Sequence, residues 1–484
     1  MNNKFELVFI PAPGVGHLVS IMELAKLLIH RHHRLSITVL VMKVPSDSKS
    51  NAYLDSLSVD NRVNIVYLPN DDLQRFKPMR VIPSIIELHK PLFKEAVSKL
   101  VLSKSASDDS PKLVGFVLDM FCTSMIDVAD EFGVPSYIFF TTGAALLGLM
   151  LHLQALHDEQ NKQTVDLKDS DSELEVPSLV NKLPAKVLPS VYFGEEWSMV
   201  MFELARAFRR VKGILVNSFV ELESFAVKSL SSGEDNIPPV YPVGPILNLD
   251  GNCIDLESTE SKTKAEIIEW LDDQPPSSVV FLCFGSEGSF EEDQVKEIAY
   301  ALEQSGHRFL WSLRQPPSKG QFASPSDYTN LTDVLPEGFL ERTAGVGKVI
   351  GWAPQVSVLA HKAIGGFLSH CGWNSTLESI WFGVAIATWP MYAEQQFNAF
   401  ELVIELGSAV EIKMDYRKEL STENQIVLRA GEIERGIRKL MEDDNKIRER
   451  VKEMREKSRK AMMDGGSSFT SLGCFIDDVM SNLS

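Results

Sequence analysis

The feature that most constrains the fold of this chain is a repeated alternation of short apolar runs with segments of helical periodicity. Runs such as Leu7–Ile10 and Val279–Phe284 have the length of buried strands. The segment Glu291–Gln304 places Val295 and Ile298 on one face of a helix. This order is typical of βαβ units and parallel sheets. The sequence therefore predicts an α/β fold built of doubly wound, Rossmann-like sheets.

The strand runs fall into two series, which predicts two domains. A chain of 484 residues also suits two domains at roughly 100–200 residues each. Between the two series lies Asn248–Lys264, a polar stretch with little periodicity that is typical of a linker. We expect an N-terminal domain over residues 1–247, a linker over 248–264 and a C-terminal domain over 265–460.

Charge, cysteine content and hydropathy restrict the partners and the compartment. The net charge of −18 disfavours nucleic acid, because such a chain repels phosphates. The five cysteines are odd in number and lack metal-type spacing, which favours a reducing compartment. No secretory signal is visible, and the most apolar run, Ala144–Leu151, is far shorter than the ~20 residues of a membrane span. We expect a cytoplasmic protein, and nothing in the sequence demands more than a monomer.

Polar residues stand at the carboxyl ends of predicted strands, where doubly wound sheets bind their ligands. In the first series His17 follows Leu7–Ile10, and Asp119 ends the run LVGFVLD. In the second series Ser286 follows VVFLCFG, and His370 follows GGFLS. Facing clefts in the two domains would bring these two sets together.

His17 lies between a turn and a helix and allows more than one interpretation. The preceding Gly14-Val15-Gly16 resembles a dinucleotide-binding turn, but Val19 stands where the third glycine would belong. His17 could simply begin a helix, or it could be a general base if a partner orients it. Asp119 is a candidate for that partner, although an aspartate at this place could equally cap a helix.

The segment GWAPQVSVLAHKAIGGFLSHCGWNSTLESIWFGVAIATWPMYAEQQ contains a series of groups suited to a nucleotide sugar. Trp352 offers a flat face to a base. Asn374 and Ser375 open a helix, whose N-terminus suits a pyrophosphate. Glu378, one turn further along that helix, could accept from ribose hydroxyls. Core packing and ordinary capping could explain any one of these residues, but hardly the whole series.

The stretch from Trp352 to Gln395 resembles, over its whole length, the signature box of plant secondary-product UDP-glycosyltransferases. PAPGVGH, LDMFC, FFTTGAA, VGP and FLCFGSEGSF have counterparts in the same family. The overall similarity is to the branch acting on flavonoids and triterpenoids. The resemblance implies a GT-B fold, in which two Rossmann-like domains face each other across a cleft and a C-terminal helix, about 461–484, rejoins the N-terminal domain.

The resemblance also implies roles for individual residues. His17 would be the general base and Asp119 its orienting partner. The donor, a UDP-sugar, would be bound by Thr142, Ser286, Trp352, Ala353, Gln355, His370, Trp373, Asn374, Ser375, Glu378, Tyr392, Glu394 and Gln395. Glutamine at the end of the box goes with glucose. Acceptor contacts are expected, from proximity alone, at His17, Phe121, Phe140, Tyr192, Phe202, Glu287 and Ala393.

The reaction implied is a single displacement that converts the α-linked donor into a β-glucoside, without a cofactor or metal. An Asp-x-Asp after a strand, as metal-dependent transferases have, is not found: Asp169-Ser170-Asp171 lies in a polar stretch. Two other classes stay open at this point, a nicotinamide-dependent oxidoreductase and a non-catalytic binder of nucleotide sugars. The retention of both His17 and Asp119 disfavours the binder. The acceptor itself is beyond what these patterns reach.

Overall fold

The computed structural model describes residues 4–42, 48–57, 60–68, 81–104, 110–168, 170–233, 236–249, 258–318, 324–418, 426–442 and 446–482. Their strands are β1 Phe5–Ile10, β2 Leu35–Met42, β3 Val63–Leu68, β4 Lys112–Asp119, β5 Ser136–Phe140, β6 Glu173–Leu174, β7 Leu183–Pro184, β8 Gly213–Val216, β9 Val240–Pro242, β10 Val279–Cys283, β11 Arg308–Ser312, β12 Arg314–Gln315, β13 Ser326–Asp327, β14 Gly347–Ile350, β15 Ile364–Ser369, β16 Ile386–Thr388 and β17 Ala409–Glu411.

The helices connect these strands and cover the sheets. They are α1 Val15–Arg31, α2 Ser48–Ser56, α3 Val81–Lys104, α4 Ile126–Glu131, α5 Ala144–Gln160, α6 Glu195–Phe208, α7 Ser224–Leu230, α8 Ser258–Asp272, α9 Glu292–Ser305, α10 Phe339–Thr343, α11 Gln355–Leu359, α12 Trp373–Phe382, α13 Gln395–Phe400, α14 Ala430–Met441, α15 Lys446–Met462 and α16 Ser467–Ser481.

The chain divides into two compact units. Unit 1 contains Met1–Lys162, Met199–Leu256 and Lys460–Ser484, and unit 2 contains Gln163–Ser198 and Glu257–Arg459. The segment Gln163–Ser198 thus differs from the sequence expectation, which included it in the N-terminal domain. Hydrogen bonds join it to unit 2: Glu405 accepts from the backbone N–H groups of Val180 and Asn181 at 2.9 and 2.8 Å.

The sheet of unit 1 has seven parallel strands in the order β3-β2-β1-β4-β5-β8-β9. From β1 the chain builds outward through β2 and β3, and from β4 it builds in the opposite direction. The order therefore reverses between β1 and β4, which pair directly from Phe5↔Lys112 to Ile10↔Leu118. In doubly wound sheets ligands bind at such a reversal, outside the carboxyl ends of the strands.

The sheet of unit 2 repeats this arrangement with six parallel strands in the order β14-β11-β10-β15-β16-β17. Its reversal lies between β10 and β15. Alternate residues of β10 belong to different cores: Val280 and Leu282 pack into one, and Phe281 packs into the other. Both faces of the sheet are thus covered, which is why β10 is a continuous apolar run rather than an alternating one.

The last helix, α16, belongs to unit 1. Its residues Leu472, Phe475, Ile476 and Val479 are part of the unit 1 core. The hydroxyl of Tyr137 in β5 donates to Asp478 Oδ2 at 2.8 Å.

The boundary between the two units, after Leu256, falls inside the linker expected over 248–264. Helix α8 begins at Ser258, so the last part of the expected linker is helical, and residues 250–257 lie outside the described residues.

Candidate functional site

His17 and Asp119 meet at the strand-order reversal of unit 1. His17 lies in the first turn of α1, directly after the β1 turn in which Gly14 adopts a φ of 115°. Asp119 is the last residue of β4 and is completely buried. His17 Nδ1 lies 2.8 Å from Asp119 Oδ2, and the Phe121 N–H donates to Oδ1 at 3.0 Å. Both oxygens of the carboxylate are therefore engaged, which fixes its orientation towards the imidazole.

A second turn of unit 1 follows β5 and approaches the same histidine. Thr141 Oγ1 lies 3.5 Å from His17 Nδ1. The next residue, Thr142, is 6% exposed, and its Oγ1 has no hydrogen-bond partner among the described residues. A buried hydroxyl without a partner is costly, which makes Thr142 Oγ1 a candidate for a hydrogen bond to a ligand.

His370 lies at the strand-order reversal of unit 2, directly after β15. A Cβ on Gly285 or on Gly372 would lie 2.6 Å from His370 Nε2, so the backbone touches the ring at both positions. Burial lowers the pKa of His370 to about 4, which keeps the imidazole neutral near pH 7. Its Nδ1 has no partner in the described part of the chain. When the proton is on Nδ1, the imidazole can therefore donate a hydrogen bond to an anion beside the N-terminus of α12.

Helix α12 presents a connected set of polar groups. Gln355, the first residue of α11, donates from Nε2 to Ser375 Oγ at 2.9 Å and to Glu378 Oε2 at 2.7 Å. Burial raises the pKa of Glu378 to about 7, and the Gln355 hydrogen bond partly opposes that increase. The carboxylate and the carboxamide lie side by side. They can thus bind neighbouring hydroxyls such as those of a ribose.

Trp352 follows β14 and is partly exposed. The guanidinium carbon of Arg314 lies 5.4 Å from the centroid of its ring, and Arg314 in turn pairs with Asp327 at 2.9 Å. The indole is therefore supported from β12 while part of it stays accessible. A flat, half-covered ring of this kind can stack with a nucleobase.

The turn between Met391 and Gln395 is held by its own glutamine. Gln395 Oε1 accepts from the backbone N–H of Met391 at 2.9 Å and of Tyr392 at 3.1 Å. Ala393 adopts a φ of 56°, which a residue other than glycine seldom does. The oxygen of Gln395 is thus used to shape the turn, which leaves its NH₂ as the donor group of a side chain that also hydrogen-bonds Tyr392. Glu394 beside it is partly exposed.

The remaining donor residues predicted from the sequence lie on the same elements of unit 2. Trp373 begins α12 and is buried, while Asn374 is partly exposed. Ser286 follows β10 and is partly exposed, and Ala353 is buried.

Gly365 and Gly366 lie in close contact with their neighbours, and a Cβ on Gly365 would lie 2.3 Å from the carbonyl oxygen of Ser277. A Cβ on Gly366 would lie 2.5 Å from Leu440 of α14.

The structure separates the acceptor candidates into two groups. Phe121 is partly exposed and meets the His17 ring edge-on, with 5.4 Å between centroids. Glu287 is exposed and accepts from Ser324 Oγ at 2.9 Å. Phe140, Tyr192 and Phe202 are at most 1% exposed, because they pack into cores. Such side chains offer no surface to an acceptor in this structure.

One residue that the sequence analysis missed is Glu223, which is 4% exposed. Its carboxylate accepts from the backbone N–H groups of Ala144 and Ala145 at 2.9 and 2.6 Å. In the sequence it is one of two acidic residues in the mixed polar and apolar stretch Asn217–Glu223 after β8, and no local signal distinguishes it. Only the pairing of β5 with β8 brings it to the start of α5.

The described residues contain no group of three or more His, Cys, Asp or Glu that could hold a metal ion. Asp169, from the Asp-x-Asp of the sequence analysis, lies outside the residues that the structure describes. Among the helices described, none is long and apolar enough to cross a membrane.

Comparisons with known proteins assign the chain to a family. Residues 238–430 match the family model described as UDP-glucoronosyl and UDP-glucosyl transferase. The chain is 56% identical over 489 residues, covering 100% of both chains, to UDP-glucose flavonoid 3-O-glucosyltransferase 6 of Fragaria ananassa. This chain is a UDP-glycosyltransferase. It is also 55% identical to anthocyanidin 3-O-glucosyltransferase 1 of Manihot esculenta, over 97% of this chain and all of that protein.

Solved structures of UDP-glycosyltransferases have the same fold. A transferase from Siraitia grosvenorii in complex with UDP is 50% identical, with a TM-score of 0.88 over 99% of this chain and 100% of that one. UGT71G1 of Medicago truncatula, complexed with UDP-glucose, is 43% identical, with a TM-score of 0.86 over 99% of each chain. The expected GT-B, α/β fold is confirmed, as is the expected family. The alternative class, a nicotinamide-dependent oxidoreductase, is thereby excluded.

Proposed function

We propose that this chain is an inverting, UDP-glucose-dependent O-glucosyltransferase that acts on a hydroxyl of a flavonoid or a similar small apolar plant metabolite. The observation that carries the proposal is the contact between His17 Nδ1 and the buried carboxylate of Asp119. A non-catalytic binder of nucleotide sugars has no use for an oriented imidazole. The flavonoid glucosyltransferases of Fragaria ananassa and Manihot esculenta support the acceptor class.

In the proposed reaction His17 is the general base. Its Nδ1–H donates to Asp119, so the lone pair on Nε2 is available to an acceptor hydroxyl. As the acceptor oxygen bonds to the anomeric carbon of glucose, its proton passes to Nε2 and the bond from that carbon to the UDP oxygen breaks. Asp119 stabilises the imidazolium that forms. The single displacement inverts the α-linked donor and yields a β-glucoside and UDP.

The residues of unit 2 would hold the donor. Trp352 would stack on uracil, with the Ala353 backbone at its edge, and Gln355 and Glu378 would bind the ribose. The diphosphate would lie against His370, Asn374, Ser375 and Ser286, where a helix N-terminus and donor groups stabilise the charge that develops on the leaving UDP. Trp373, Tyr392, Glu394 and Gln395 would contact the sugar, together with Thr142 of unit 1. For the acceptor we retain Phe121, Glu287 and Ala393.

The test is UDP release from UDP-glucose, with EDTA present, against a panel of flavonoids, simple phenols and triterpenoids. Release with one acceptor class, and a β-linked glucoside identified by mass spectrometry and by NMR of the anomeric proton, is the expected result. An α-linked product would overturn inversion. UDP binding with no release across the panel would overturn the proposed acceptor class, and a requirement for a divalent cation would overturn the metal-free mechanism.

We also propose that the enzyme is a cytoplasmic monomer. Three of its free cysteines, Cys122, Cys283 and Cys371, are buried, and Cys474 is exposed. Thiols in this state suit a reducing compartment. Fractionation of the tissue and light scattering of the purified protein test this proposal. Recovery with organelles, or a mass of twice 54.0 kDa, would contradict it.

A further inference from the structure

We propose that Glu223 is a positioning residue for glucosyl transfer, because it holds the turn that carries Thr141 and Thr142. The inference rests on the proposed function, in which Thr142 contacts the donor sugar. Glu223 lies outside the signature box and outside every set of site residues derived from the sequence. Its role follows from three observations that all belong to unit 1.

The first observation is the contact itself. The two carboxylate oxygens of Glu223 accept separately from the first two N–H groups of α5, at Ala144 and Ala145. These N–H groups have no partner inside their own helix. A carboxylate is the preferred partner at this end because the helix dipole is positive there. Two charge-assisted hydrogen bonds to consecutive residues leave the start of α5 little freedom to shift or rotate.

The second observation is what this start of α5 carries. Gly143 precedes Ala144 with extended backbone, at φ −74° and ψ 158°. Thr141 and Thr142 stand directly before it, between the end of β5 and the helix. Thr141 Oγ1 lies 3.5 Å from His17 Nδ1, and Thr142 Oγ1 is buried without a partner in the described residues. Any movement of the helix start therefore displaces both hydroxyls.

The third observation is how Glu223 is itself held. Glu223 is 4% exposed and precedes α7, whose Val227 N–H donates to the Glu223 carbonyl at 2.9 Å. Its own N–H donates to the carbonyl of Phe219 at 3.3 Å. The backbone that carries the carboxylate is thus fixed by a turn on one side and a helix on the other. The carboxylate is a rigid link between α7 and the turn after β5.

The variant Glu223→Gln tests the role. Its amide keeps one acceptor oxygen but replaces the other with a donor, which repels a backbone N–H of α5. We expect kcat/KM for UDP-glucose to fall about tenfold, since small misplacements of a contact group can cost up to about 100-fold. The affinity for UDP is expected to stay unchanged, because its binding residues belong to unit 2.

The chain offers a matched control in Glu297. Its Oε2 accepts from the backbone N–H of Ala430, the first residue of α14, at 2.6 Å. Glu297→Gln breaks the same kind of contact at a helix that carries none of the proposed site residues. Both variants should lower the melting temperature, and only Glu223→Gln should lower kcat/KM. Equal losses in the two variants, or wild-type kcat/KM in Glu223→Gln, would overturn the inference.

A double-mutant cycle with Thr142→Ala separates positioning from general stability. If Glu223 acts through Thr142, the double variant is no slower than the slower single variant. Additive losses in kcat/KM would overturn the inference that Glu223 acts through Thr142.

If Glu223→Gln does not fold, Glu223→Asp keeps the charge but withdraws it by one methylene. Wild-type kinetics in Glu223→Asp would also count against the inference. A wild-type protein that releases no UDP with any acceptor would instead refute the proposed function.

Discussion

His17 Nδ1 and Asp119 Oδ2 lie 2.8 Å apart, although 102 positions separate the two residues in the chain. The aspartate is completely buried, whereas the histidine side chain is 26% exposed. One member of the pair can therefore reach a substrate, and the other cannot. This asymmetry is what a general base and its orienting partner require.

Replacing His17 with alanine should remove nearly all transfer, because no other group then takes the proton from the acceptor. General-base removal typically costs about 10²–10⁴-fold in rate. UDP binding should remain, since the residues proposed to bind UDP lie in unit 2. The measurement is UDP release with a flavonoid, together with calorimetry of UDP binding. The control is His33→Ala, at an exposed histidine just after α1. Normal turnover in His17→Ala would refute the mechanism.

Replacing Asp119 with asparagine should lower kcat by about 100-fold or more, within the range for acid–base catalysis. The asparagine can still accept from the Phe121 N–H, so the turn is kept. It carries no charge to stabilise the imidazolium, however, and its amide can favour the wrong tautomer of His17. Steady-state kinetics measures the effect. Asp127→Asn, in an exposed pair with Lys90, should behave as wild type. A similar kcat in the two variants would contradict the orienting role.

The pKa of Glu378 should make donor binding depend on pH. Burial raises this pKa to about 7, so the carboxyl is largely protonated below that pH and accepts ribose hydroxyls less well. The affinity for UDP-glucose should weaken below pH 7, by at most about tenfold per pH unit. Calorimetry without acceptor, from pH 5.5 to 8, measures it. Glu378→Gln should bind with nearly constant affinity, and a parallel pH dependence in that variant would exclude Glu378 as the cause.

The same shift affects stability in a defined direction. Glutamate in an unfolded chain titrates near 4.5, whereas Glu378 titrates at about 7, so the folded state holds an extra proton between these values. The contribution of Glu378 to the stability of the folded state is complete below pH 4.5 and is lost as the pH rises through 7. The free energy of unfolding of Glu378→Gln, relative to that of the wild type, should rise by about 1–3 kcal/mol between pH 5 and pH 8. Denaturant unfolding without ligand at both pH values tests this, and a constant difference would contradict it.

His370 changes stability in the opposite direction. Burial lowers its pKa from 6.5 to about 4, so the unfolded state binds the extra proton between those values. Its contribution is present above pH 6.5 and is lost as the pH falls through 4. Between pH 4.5 and 6.5 the two contributions oppose each other. In that range the comparison with Glu378→Gln, which keeps His370, isolates the Glu378 effect.

Substituting Gly372 tests the close fit around His370. Gly372 has φ −61° and ψ 142°, which alanine adopts without strain. The effect of the substitution is therefore steric. The added Cβ would lie 2.6 Å from His370 Nε2 and push the ring away. We expect Gly372→Ala to weaken UDP binding about tenfold, the equivalent of one lost hydrogen bond to a charged group. Gly194→Ala, where the Cβ meets nothing within 4 Å, is the control. Equal UDP affinity in both variants would refute the role of His370.

Many of the strands and helices could be predicted from residues that are close together in the sequence. The strands β1, β4, β10 and β15 appear in the sequence because buried parallel strands are continuous apolar runs. Helix α12 begins at Trp373, as its polar opening predicts. Helices α2 and α3 were not predicted, and Phe140, Tyr192 and Phe202 were placed at the acceptor although they are buried. An apolar ring has the same local signature in a core as in a pocket.

The sequence by itself determined the alternation of strands and helices, the polar residues that end the strands, and the signature box. Each of these depends on residues close together in the chain. The tertiary structure decided the rest, because it depends on strand order. The reversal between β1 and β4 pairs His17 with Asp119, and the pairing of β5 with β8 delivers Glu223 to α5. The segment Gln163–Ser198 belongs to unit 2, and hydrogen bonds to Glu405 are among its contacts there. Contacts between distant parts of a chain leave no local pattern from which they could be read.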